Sequence, residues 1–303
     1  MGACSPSRDW QAEPRPLEDQ VMKILNSRRV PLSAFATAVV ICVAGHPAAA
    51  EGLASPWVEG FNNKSRLLAG KTAIGGPASF LAGLEISMPT GWKTYWRAPG
   101  DSGVPPEFDW TGSENLDSAT VLYPAPHRLI DKGGANIGYK DHVIFPARIV
   151  AKDPTKPVTL KLKAAYGVCE KLCVPAEVEL EQTIPADAGD SAEIAAVLST
   201  VPRTKLVTAT DPVLAKWRVD DRAGKPFLVL EVSDPGGVDG DAFVDMPGGT
   251  YLPLPVKLPD ANGHSVYEVN LTEGADIKDL NGKPIAVTLT GARGQSETSI
   301  TLP

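Results

Sequence analysis

Residues 158–184, VTLKLKAAYGVCEKLCVPAEVELEQTI, alternate apolar and polar side chains on both sides of two cysteines set three residues apart. Period-two alternation is the mark of a half-buried strand, and here it runs up to the pair and away from it. A helix through this stretch would place Cys169 and Cys173 on one face, four residues apart. Pro175 argues against that, because its ring clashes with a continuing turn and biases Val174 towards extended backbone. The spacing therefore predicts a β-hairpin with Glu170, Lys171 and Leu172 as its loop. Residues that bracket such a loop face each other about 4.5–5.5 Å apart at Cα, a separation that a disulfide tolerates.

The same period governs most of the chain. SFLAGLEISM, ATVLYP, HVIFPARIV, PFLVLEVS, DAFVDM, SVYEVNL, IAVTLTGA and TSITLP are short alternating or apolar runs, each closed by Pro, Gly, Asn or Asp. With 28 Gly and 28 Pro, this predicts an all-β fold of the sandwich type. One stretch is helical in pattern: DSAEIAAVLSTV, residues 190–201, with Asp190 or Ser191 to cap it and Pro202 to stop it. It separates two strand-rich blocks, so a short helical linker over residues 186–203 is expected between sandwich domains at 57–185 and 204–303. LEISMPTG (Leu84–Gly91) and LEVSDPGG (Leu230–Gly237) agree at five of eight positions, an internal echo that suits two related sandwiches.

Residues 1–50 read as an export signal region. From Met22, an alternative start, a basic segment MKILNSRR precedes the apolar run LSAFATAVVICVAG and the small residues Ala48, Ala49 and Ala50. The run is too short to span a bilayer well, so no stable membrane insertion of the mature chain is expected. Cleavage after Ala50 would remove Cys4 and Cys42 and leave Cys169 and Cys173 as the only cysteines. Charge over residues 51–303 falls to 24 basic against 32 acidic residues, a net of −8. A chain with this balance and no Lys/Arg cluster is not built to neutralise phosphates, which excludes nucleic acid as a partner.

A bond across so short a loop removes little unfolded-state entropy, and two sandwiches with ample apolar residues have small need of a staple. Close spacing instead suits reversible exchange, since one thiol can resolve a mixed disulfide formed by the other. Two other readings stay open. An inert disulfide would leave a non-catalytic binding module. Two thiolates would also suit Cu(I), as in a copper-tolerance protein, with His127, His142 or His264 as a third ligand. Tyr95, Trp96 and Trp110 are candidates to wall the site or to fill a core. Lys171 beside the pair can favour a thiolate or serve as a solvated turn residue. GDSGVPP (Gly100–Pro106) lacks the spacing of a serine nucleophile elbow, and its prolines forbid the helix that such a motif opens.

YGVCEKLCVPAE (Tyr166–Glu177), GWKTYWRAPGDSGVPPEFDW (Gly91–Trp110), YPAPHR (Tyr123–Arg128) and IGYKDHVIFP (Ile137–Pro146) together resemble the N-terminal periplasmic domain of the thiol:disulfide interchange protein DsbD. The variant with three residues between the cysteines and a following proline is similar to ScsB-type ectodomains of the copper-sensitivity-suppressor group. The resemblance implies immunoglobulin-like sandwiches in the periplasm that relay electrons without a cofactor. It implies a membrane-embedded thiol reductase as donor and thioredoxin-like periplasmic proteins as acceptors. It also implies that Cys173 forms the mixed disulfide with partners and Cys169 resolves it, making these two the catalytic residues. The family's cap loop maps by position to Leu129–Tyr139, where LIDKGGANIGY does not reproduce its aromatic cap.

Overall fold

Alternation is what the chain turns into structure. The computed structural model describes residues 53–71, 79–131, 134–205, 208–235, 237, 240–246, 248–261, 264–274 and 277–302. The export signal region, Cys4 and Cys42 lie outside these residues.

Twelve strands precede the first helix: β1 (Leu53–Ala54), β2 (Val58–Gly60), β3 (Asn63–Lys71), β4 (Ser79–Ser87), β5 (Lys93–Gly100), β6 (Glu107–Asp109), β7 (Leu116–Val121), β8 (His127–Asp131), β9 (Gly134–Lys140), β10 (His142–Ala151), β11 (Val158–Cys169) and β12 (Cys173–Ile184). They form two antiparallel sheets. One runs β1-β3-β4-β10-β7 with β2 on β3; the other runs β12-β11-β5-β9-β8 with β6 on β11. Every second residue of β4, β10 and β11 enters the space between them: Leu84 and Ile86, Phe145 and Ile149, Leu160, Leu162 and Val168. Phe145 is the hub of an aromatic cluster, with edge contacts to Phe108, Tyr123 and Tyr139 at 5.4–5.7 Å.

The helix α1 spans Ala192–Leu198, shorter than the pattern suggested. Ser191 caps it by accepting from the Ile194 amide, and the Ser199 and Thr200 hydroxyls donate back to the Ala196 and Val197 carbonyls at its end. It packs on the outer face of the first sheet, where Leu68, Leu81 and Ile144 meet a fully buried Ile194. That burial contributes roughly 1.5–3 kcal/mol, so the helix is part of the first sandwich rather than a free connector.

Seven more strands follow: β13 (Val213–Asp221), β14 (Pro226–Ser233), β15 (Asp241–Asp245), β16 (Val256–Ala261), β17 (His264–Asn270), β18 (Pro284–Gly291) and β19 (Gly294–Thr301), with a one-turn helix α2 (Ile277–Leu280). Sheets β13-β14-β17-β16 and β15-β18-β19 enclose Leu228, Leu230, Tyr267, Val269, Val287 and Leu289. The fold is thus all-β, with two sandwiches, and the described residues form one compact unit. The echoed segments occupy equivalent places: β4 and β14 are both interior strands, and Gly91 and Gly237 both adopt the positive φ that favours glycine.

Strand β15 locks the sandwiches together. Its even residues Ala242 and Val244 enter the second core, while Asp241, Phe243 and Asp245 share the face turned to the first sandwich. Phe243 is fully buried against Trp96, ring centroids 6.0 Å apart. Asp245 takes a bidentate pair of bonds from Arg97 at 2.9 Å, and Asp241 a second such pair from Arg128 at 2.8 Å. Glu297 reaches the same Arg97 at 2.5 Å. Burial works against the Arg97 charge, but Asp245 and Glu297 outweigh it and hold its pKa above the ordinary arginine value.

Candidate functional site

The β11–β12 ladder runs without a break from Val158↔Ile184 to Cys169↔Cys173, so the hairpin read from the sequence is present with its loop at 170–172. The cysteines are joined in a disulfide with Cα atoms 4.1 Å apart. Their surroundings differ sharply. Cys169 is 1% exposed and pairs across its other side with Lys93 of β5, whereas Cys173 opens to solvent beside Leu172, which is 79% exposed.

Tyr95 links the two sulfurs. Its hydroxyl lies 3.0 Å from Cys169 Sγ and 3.1 Å from Cys173 Sγ. Disulfide sulfurs carry no hydrogen, so the phenol is the donor and shares one proton between them. The ring is 1% exposed. It sits against Gly167 of β11, where an added methyl would come 3.2 Å from the ring edge. On the other edge lies Gly103, with φ of 147° and no room for a side chain: a methyl there would be 2.6 Å from Tyr95. Lys93, two residues before Tyr95 on the same strand face, is buried with its ammonium 5.9 Å from that ring. Below the pair, the Tyr166 hydroxyl donates to Asn63 and Ser65 of β3 and ties the hairpin to the opposite sheet.

Of the aromatic residues singled out from the sequence, only Tyr95 meets the sulfurs. Trp96 is a core residue under Phe243, and Trp110 packs at the edge of the first core. Lys171 reaches towards Glu170 at 3.9 Å with 87% of its side chain exposed, a solvated turn residue. The three histidines do not complete a metal site: among the described residues no three of His, Cys, Asp and Glu are grouped to hold an ion. His142 instead pairs with Glu85 at 2.8 Å. Of Leu129–Tyr139, residues 129–131 lie on β8 and 134–139 on its partner β9, and the Tyr139 hydroxyl is used on the Pro124 carbonyl. What covers Tyr95 is the stretch Pro99–Val104, which the sequence offered only as a failed nucleophile motif. Its two positive-φ glycines, Gly100 and Gly103, were the available signal.

The first sandwich is immunoglobulin-like, and among the described residues its one cysteine pair sits at a hairpin tip, with a hydroxyl on both sulfurs and Cys173 open to solvent. Residues 65–185 match the family described as thiol:disulfide interchange protein DsbD, N-terminal. The crystal structure of the N-terminal periplasmic domain of ScsB from Proteus mirabilis superposes with a TM-score of 0.64 at 21% identity, covering 83% of this chain and 98% of that one. That likeness is one of fold, and its extent takes in the second sandwich, beyond the family match. No curated protein matches the chain. Among the described residues, no helix is long and apolar enough to cross a membrane.

Proposed function

We propose that this is a periplasmic protein that relays electrons through the Cys169–Cys173 disulfide, between a membrane-embedded thiol reductase and thioredoxin-like partners. The observation that carries the reading is the asymmetry of the pair: Cys173 exposed, Cys169 buried, with one hydroxyl on both sulfurs. A donor thiolate attacks the exposed Cys173 Sγ, forming a mixed disulfide, and Cys169 leaves as a thiolate opposite the Tyr95 hydroxyl. A second donor thiolate then attacks the mixed disulfide at the donor's own sulfur, which releases Cys173 and leaves the pair reduced with two electrons gained. In the forward relay Cys173 attacks an acceptor disulfide and expels one acceptor thiolate. Cys169 next attacks Cys173 Sγ, closes the intramolecular bond and expels the second. Two electrons and two protons reach the acceptor, and no cofactor is required. The export signal read in residues 22–50 and the DsbD family match support the periplasmic setting.

The test is Cys169→Ala in the full chain, reduced and mixed with an oxidised thioredoxin-like protein. A mixed disulfide at Cys173 that persists, while wild type passes through it, is the expected result. An intramolecular bond with a potential far below about −300 mV and no trapped adduct would mark an inert staple and a binding module instead.

A further inference from the structure

The stretch from Pro99 to Val104 crosses the outer face of the sheet that carries the disulfide. Gly103 lies on one edge of the Tyr95 ring, and Val104 meets Gly167 on the other. The ring whose hydroxyl bonds both sulfurs is therefore clasped between this strap and β11. Two sets of anchors hold the strap. One is local: the Asp101 amide donates to the Ala135 carbonyl, the Ala135 amide donates to Asp101 Oδ2, both at 3.2 Å, and the Ser102 hydroxyl donates to Asn136 at 3.0 Å. The other comes from the second sandwich. The Tyr251 hydroxyl donates to Asp101 Oδ1 at 3.0 Å, and Leu254 stands against Gly100. A cavity of about 350 Å³, lined by Pro99, Gly100, Pro105, Met246 and Leu252, opens between the strap and the second sandwich. The strap thus has room to lift if its ties are cut.

We propose that Tyr251 and Asp101 are positioning residues for the exchange reaction: the second sandwich holds the strap on Tyr95, and so keeps Cys169 covered and the hydroxyl on the sulfurs. The second sandwich is then part of the redox site without touching it. Burial and the neighbouring Asp101 carboxylate push the Tyr251 phenol up to about 12, so the tie stands in its neutral, donating form at any physiological pH. This assignment rests on the exchange reading of the pair.

The test is alkylation of the reduced full chain by iodoacetamide across pH, read at each cysteine by peptide mass spectrometry. In wild type the pH-independent plateau is low at Cys169 and high at Cys173. Tyr251→Phe removes one hydroxyl from a side chain that is 43% exposed, a change the fold tolerates. It raises the Cys169 plateau about fivefold, the effect of one lost hydrogen bond on a local opening, and moves the Cys169 midpoint to higher pH. The Cys173 plateau stays within about twofold, since that sulfur is open already. Asp101→Ala has at least the same effect, and the double variant no more than Asp101→Ala alone, because both cut one tie. An unchanged Cys169 plateau in Tyr251→Phe, an equal rise at both cysteines, or full additivity of the two substitutions overturns the assignment. A wild-type disulfide that resists dithiothreitol overturns the exchange reading itself, and the assignment with it.

Discussion

The two sandwiches each carry a long antiparallel hairpin, β11–β12 in the first and β18–β19 in the second, and the two end differently. The first closes on Cys169↔Cys173, the second on Gly291↔Gly294. At the glycine end, neighbouring chain fills the space a side chain would need. A methyl on Gly294 would lie 2.1 Å from Asp211 Oδ1 and 3.1 Å from its Cα, and that carboxylate is engaged by Arg203 and Thr208. At the cysteine end one flank is closed by Lys93 and the Tyr95 phenol, and the other is open to solvent. The same ladder thus serves as a sealed corner in one sandwich and an accessible tip in the other. A β-ribbon is neutral scaffolding; chemistry enters through what is allowed to approach its last pair.

The second sandwich is joined to the first through Arg97, and breaking that join has the largest expected effect. Arg97→Ala removes the cation between Asp245 and Glu297, whose side chains are only 11% and 22% exposed. Stranding partly buried carboxylates in this way costs about 3 kcal/mol, read as a lowered urea midpoint. A loss under about 0.5 kcal/mol would mean the sandwiches hold together without it. Next in size is the sealed corner. Gly294→Ala should lose about 1–3 kcal/mol through the clash with Asp211, whereas Leu172→Ser at the open tip stays within about 0.5 kcal/mol. Equal costs in the same denaturation experiment would erase the difference between the two hairpins.

What the sequence made legible follows from burial. The ten runs, alternating or continuously apolar, all fall on strands, because each is an unbroken stretch that a turn residue closes. β5, which carries Tyr95, escaped notice because both its faces are covered: Trp96 enters the core, while Tyr95 lies under the strap and Lys93 is buried beside it. Double burial erases the period, and KTYWRAPG has no continuous apolar run to take its place. β3, NKSRLLAGK, offers only Leu67 and Leu68 as large apolar residues, too short a run to mark a strand. The cysteine hairpin was legible because its loop, its proline and its flanks all point one way. The phenol at the sulfurs was named only as one of three candidate aromatics, for sequence does not say which ring faces which sheet. The strap and the Asp241–Phe243–Asp245 face were beyond reach, because their partners lie about 110 to 150 residues away.

The finest distinction between the two tips is the hydroxyl of Tyr95, and its expected effect is the smallest. Tyr95→Phe keeps the ring under the strap and deletes the donor alone. A phenol bonds a thiolate more strongly than it bonds a disulfide sulfur, because the thiolate carries the full charge. The hydroxyl therefore favours the reduced state. Its loss should cost the reduced state about 1 kcal/mol and move the reduction potential down by about 20 mV, measured by equilibration with glutathione. An unchanged potential would mean that the phenol serves both redox states alike. The tips would then differ only in bearing sulfur, and the buried tyrosine would be packing rather than chemistry.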